Sequence, residues 1–124
     1  MSEENIEVVR RAYEALTDRN LDALGELADP DWVFDFSRSI GPQKGVYRGH
    51  TEIAELMAAT EDAFERFELL PIEFVVESAN RVVVRHRLRA KGRTSGLEWE
   101  RVPPVTLHWE LRDGKVVATT LYNS

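Results

Sequence analysis

The chain has 124 residues, a formal net charge of −6, a pI near 5.1 and no cysteine. The charge argues against nucleic acid, whose phosphates demand a basic face, and the missing thiols exclude disulfides, thiolate nucleophiles and thiolate metal sites. At this length, with 43% hydrophobic and 31% charged residues, the chain reads as one soluble domain over residues 1–124.

Residues 1–5 show neither the basic start nor the apolar run of a signal peptide, and no apolar run nears the ~20 residues that span a bilayer. A cytoplasmic protein without membrane contact is the expectation. Ser2 is placed to cap a first helix, with Glu3 and Glu4 at its positive end. Its apolar stripe is Ile6, Val9, Ala12 or Tyr13, and Leu16. Asn20 reads as the cap of a second, short helix with Leu21, Leu24, Leu27 and Ala28 inward, ended by Asp29-Pro30-Asp31.

The first strand is predicted over residues 32–36. Trp32, Phe34 and Phe36 share one face, and Val33 and Asp35 the other. Residues 37–49 read as a loop, marked by Gly41-Pro42, Gly45 and Gly49. A third helix capped by Thr51 carries Ile53, Leu56, Met57, Thr60, Phe64 and Phe67 at helical spacing to about residue 68. Pro71 then opens a run of strands: 72–78, 81–91, 97–111 with a break at Pro103-Pro104, and 115–122 after a hairpin at Asp113-Gly114. Helices followed by such a run suggest a long curved sheet wrapped around a few helices, with a hollow on its inner face.

Two residues are candidates for chemistry in that hollow. Asp35 sits mid-strand, where aspartate is disfavoured. Turned inward it would be a carboxylate in apolar surroundings, with the raised pKa of a general acid or base. Otherwise it bonds nearby loop backbone or lies on an exposed face. His86 shares a strand face with Val82, Val84 and Leu88, opposite Arg85, Arg87 and Arg89. It is either a satisfied core residue or, beside a carboxylate, a proton shuttle. The three arginines are expected to pair with Glu73, Glu77, Glu98 or Glu100.

Trp99 and Trp109 either line the cavity or fill the core, and Tyr47 and Tyr122 either pack or offer a hydroxyl to a ligand. The three histidines lie on separate elements without zinc spacing, and no glycine-rich phosphate loop or nucleophile elbow occurs. No metal or cofactor is expected.

The order and spacing of several segments resemble the NTF2-like superfamily, and within it the SnoaL-like group of polyketide-cyclase relatives. They are residues 8–16, Asn20-Leu21-Asp22, Leu27-Ala28-Asp29, residues 47–53 and residues 109–117. The resemblance spans essentially the whole chain. It implies an α+β, cone-shaped barrel whose strongly curved antiparallel sheet and three helices enclose a pocket. It also implies homodimers paired sheet to sheet, and a small hydrophobic molecule as partner. The implied activities are cofactor-free isomerisation, cyclisation, dehydration or epoxide hydrolysis; binding and dimerisation modules share the fold.

Residue by residue, the resemblance puts Asp35 where ketosteroid isomerases hold their general base. It puts Ala12 at their oxyanion tyrosine, with Tyr13 pointing elsewhere around the helix, and Leu107 at about their oxyanion aspartate. Both enolate donors are therefore missing, and one such donor contributes ~2.7–4 kcal/mol to a barrier. The expected site is Asp35 and His86 facing each other across the pocket, walled by Trp32, Tyr47, Trp99, Leu107, Trp109 and Tyr122.

Overall fold

A computed structural model of the chain describes residues 2–38 and 45–122. Its elements are α1 (Ser2–Asp18), α2 (Leu21–Leu27), β1 (Ala28–Asp35), β2 (Val46–Arg48), α3 (Gly49–Ala63), β3 (Phe64–Ser78), β4 (Arg81–Gly92), β5 (Glu98–Glu100), β6 (Val105–Arg112) and β7 (Lys115–Tyr122). The Gly41-Pro42 loop signal and the side chain expected to cap α1 lie outside the described residues.

Helix α1 turns Val9, Ala12, Tyr13 and Ala15 to the core. It ends where Arg19 adopts a φ of 55° and Asn20 N–H reaches back to the Ala15 carbonyl at 2.9 Å. Asn20 then caps α2, its Oδ1 accepting the Ala23 N–H at 3.1 Å. In α2 only Leu24 is fully buried; Leu21, expected inward, is exposed.

The strands form one sheet in the order β2-β1-β7-β6-β4-β3, with β5 added to β4. Pairing is antiparallel except between β1 and β7, which run parallel because the helices and intervening strands separate them in sequence. Register shifts along β3, between Phe64 and Arg66, Pro71 and Glu73, and Val76 and Ser78, bend this 15-residue strand around the helices. Asp113 and Gly114 both have positive φ, 52° and 76°, as a tight hairpin between β6 and β7 requires.

Three boundaries differ from the sequence reading. The chain is already extended at Ala28, four residues before Trp32, and part of the expected 37–49 loop is β2, paired to β1. Helix α3 starts at Gly49 instead of after Thr51, and Glu52 Oε1 accepts the Arg48 N–H at 2.8 Å. It stops at Ala63, so Phe64 and Phe67 belong to β3, where Phe64 is extended and pairs with Gly92. Aromatic residues suit a strand edge-on to a long partner, and twelve residues of β4 supply that partner. The expected break at the two prolines does separate β5 from β6.

The core is built around Trp32, Phe34 and Trp109, with Tyr13 against Trp109 at 5.3 Å between ring centroids. On the outer face, Arg87 grips Glu100 with both Nε and Nη2, while Arg85 pairs with Glu73 and Arg81 with Glu77 and Glu110. Among the described residues no helix is long and apolar enough to cross a membrane.

Candidate functional site

Strand alternation decides what faces the interior. On β4, Val82, Val84 and His86 are buried while Arg85, Arg87 and Arg89 are exposed. On β6 the same alternation buries Val105, Leu107 and Trp109 and turns His108 outward, where its Nδ1 accepts from Arg81 at 2.7 Å. On β1, Trp32 and Phe34 point inward.

Between the concave sheet and the helices lies a cavity of about 320 Å³. It is walled by Phe34 and Phe36 of β1, Leu56 and Met57 of α3, and Leu107 of β6, among other apolar side chains. Among the described residues its polar lining comes from Arg19, Thr60, His86 and Arg101, with the indole of Trp99 beside them. Among the described residues no aspartate or glutamate lines it, and no group of His, Asp and Glu is arranged to hold a metal.

Asp35 is not in this cavity, which corrects the expectation for the first strand. Its face turns away and its Oδ1 accepts the Ser37 N–H at 2.9 Å; hydrogen bonding from the Ser37 side chain first, and its backbone N–H second, holds the carboxyl below the usual carboxylate range, helped by Arg38 and Arg48. The reason is the cost of the two orientations. Burying Trp32 and Phe34 gains roughly 1.5–3 kcal/mol each, while burying a carboxylate without a partner is strongly unfavourable. A carboxyl-detected NMR titration should therefore place Asp35 below the ordinary aspartate value of ~3.9; a higher value would contradict this placement.

His86 is in the cavity wall, 2% exposed, with Nδ1 2.9 Å from the Tyr13 hydroxyl. Tyr13 thus points inward, contrary to the expectation that it faces elsewhere around α1. Val9, Tyr13 and Leu16 lie on one stripe at spacings of four and three, so a signal for this was present in the periodicity.

Burial holds Tyr13 well above the ordinary phenol range and lowers His86 to about 4, so near neutral pH a phenol faces an uncharged imidazole. The Trp109 indole N–H lies against the same tyrosine oxygen and slightly favours its ionised form, but it falls short of full hydrogen-bond geometry.

Hydrogen-bond accounting assigns the tautomer. Among the described residues His86 is the one acceptor within reach of the buried Tyr13 hydroxyl. Were Nδ1–H the donor, the phenol proton would be stranded at a cost of about 1–3 kcal/mol. Tyr13 therefore donates to Nδ1, and the imidazole proton sits on Nε2. That nitrogen meets no partner among the described residues, on a ring that borders the cavity.

The other expected walls divide. Trp99 and Leu107 line the cavity. Trp32 and Trp109 are core instead, and Trp32 Nε1 donates to Thr119 Oγ1 at 2.9 Å. Tyr47 packs at the edge of the core by β2, and Tyr122 stacks on His108 at 4.2 Å with the Arg38 guanidinium over its ring; neither reaches the cavity. Arg19 and Arg101 were not anticipated. Arg19 is carried into place by the left-handed turn after α1, and Arg101 by its N–H bond to Leu88 O at 2.8 Å.

The SnoaL-like domain family matches residues 9–119. The chain belongs to that family.

Solved structures of this family's fold superpose closely. TerC, co-crystallized with polyporic acid, is 24% identical with a TM-score of 0.83, covering 98% of this chain and 92% of its own. An NTF2-like protein of unknown function from Burkholderia pseudomallei has the same identity and TM-score, covering 98% and 91%. A ketosteroid isomerase-like protein from Catenulispora acidiphila in complex with trimethylamine is 19% identical with a TM-score of 0.81, covering 95% and 85%. At these identities the likeness establishes the NTF2-like α+β fold. No curated protein matches the chain by sequence.

Proposed function

We propose that this SnoaL-like chain binds a compact, largely apolar small molecule in the cavity, with His86 Nε2–H as the donor that orients it. The observation that carries the reading is an apolar hollow of about 320 Å³ whose wall includes a buried, uncharged histidine held from behind by Tyr13. TerC and the Catenulispora protein, similar in fold, were crystallised with small molecules, which is in keeping with it.

Where chemistry follows binding, the reading is a cofactor-free isomerisation, cyclisation or hydrolysis in which His86 polarises a carbonyl oxygen. Asp35 takes no part in it, because its carboxylate is tied to Ser37 outside the cavity. The absence of a carboxylate among the described lining residues favours binding without turnover as the resting assumption. The homodimer belongs to the same proposal, formed across the outer sheet face where Val75 pairs with Val83 and Val83 with His108. A cytoplasmic location completes it.

Calorimetric titration with 2-acetylnaphthalene, a neutral two-ring ketone, tests the binding. Wild-type protein should bind it, and Leu107→Trp, which pushes an indole into the hollow, should weaken binding at least tenfold while costing about 1–3 kcal/mol of stability. Equal binding by the two folded proteins would show that the cavity is not the site.

A further inference from the structure

We infer that the cavity takes an organic anion: a flat apolar body of one or two rings bearing a carboxylate or comparably acidic oxygen, held by His86 and the guanidinium groups of Arg19 and Arg101. This rests on the proposal that the cavity binds a small molecule, and it adds the sign of the ligand's charge.

The inference follows from what the lining offers. His86 presents an N–H, since Tyr13 occupies Nδ1. Thr60 spends its hydroxyl proton on the Leu56 carbonyl at 2.9 Å. Arg19 and Arg101 are donors without acceptor capacity. No carboxylate lines the cavity among the described residues. An acceptor-bearing ligand thus finds donors on several sides, whereas an ammonium finds two like charges and almost nothing to accept its protons.

The sign also runs against the molecule as a whole. A chain with a net charge of −6 has placed two cations and, among the described residues, no acid around this apolar hollow. Surface solubility accounts for the acidic exterior but not for this reversal. Arg19 does have a counter-ion, Glu61, but at 3.8 Å and with Glu61 more than half exposed the pair is loose. A ligand carboxylate brought in from the cavity side meets the guanidinium in less watery surroundings, where charge-assisted hydrogen bonds are strongest. Phe34, Phe36 and Leu107 supply the apolar walls for the rings.

The test compares three probes of one shape at pH 7 by calorimetry: 2-naphthoate, 2-acetylnaphthalene and 2-naphthylmethylammonium. Naphthoate should bind at least tenfold tighter than the ketone, and the ammonium should show no heat of binding. In Arg19→Gln/Arg101→Gln the naphthoate preference over the ketone should fall toward unity. The single variants, each checked by circular dichroism, should lose part of the preference.

Equal affinity for naphthoate and ketone, or tighter binding of the ammonium, overturns the anion inference and leaves the binding proposal standing. Failure of all three probes to bind overturns both. A preference that survives in the folded double variant removes the arginines from the assignment and so overturns it.

Discussion

Trp109→Ala is expected to destabilise the protein by about 3–5 kcal/mol, the usual cost of deleting a large aromatic from a packed core. For a small domain with ~5–15 kcal/mol in total, that is a drop in Tm of roughly 10 °C or more. The indole is fully buried and touches Tyr13, Trp32 and Phe34, so its loss opens a void that three elements share. Tyr13 would lose the surface that fixes its ring, and His86 the partner that fixes its tautomer.

Trp109→Phe separates these effects: it should retain most of the stability while removing the N–H beside the tyrosine oxygen. Thermal denaturation followed by circular dichroism measures the first effect, and histidine-nitrogen NMR shifts report whether His86 remains protonated on Nε2. A Trp109→Ala loss below 1 kcal/mol would mean that Trp109 is not the centre of the core.

The second large effect is in acid. His86 is lowered from 6.5 to about 4 by burial, so the unfolded chain takes up a proton more readily than the folded one. The histidine's stabilising contribution is therefore complete above pH 6.5 and is lost as the pH falls from 6.5 through 4. The full loss is on the order of 3 kcal/mol, of which about 2 kcal/mol is reached by pH 5.

Urea denaturation at pH 7.5 and pH 5 should show this loss in the wild type and a much smaller one in His86→Gln, where the remaining acid sensitivity belongs to other groups. An identical pH dependence in both proteins would show that His86 titrates normally and is open to water. The consequence for the site is direct: protonating His86 at Nδ1 breaks its acceptance of the Tyr13 hydroxyl, and in the folded protein this happens only as the pH approaches about 4.

Much of the architecture was legible from local pattern. The cap at Asn20, the stripe on α1, the alternation that buries His86 and exposes Arg85, Arg87 and Arg89, and the Asp113-Gly114 hairpin all depend on residues close in sequence. Such signals survive without tertiary context because backbone geometry alone sets periods of 3.6 and 2. The end of α3 was not legible. Phe64 and Phe67 continue helical spacing, and only the long partner strand β4 pulls them into a sheet.

The site was half legible for the same reason. Alternation on β1 separates the Asp35 face from the aromatic face but does not say which one looks inward. That choice belongs to the folded molecule, where Trp32, Phe34 and Trp109 compete for one interior and the Asp35 carboxylate yields to them. Likewise no spacing in the chain links Tyr13 to His86, 73 positions apart. The helix and strand patterns, the acidic balance and the absence of thiols belong to the sequence itself, since each is a property of neighbouring residues or of simple counts. The cavity's lining, its reversed charge and the direction in which the Tyr13 proton points arose only on folding, because they depend on which distant faces exclude water together.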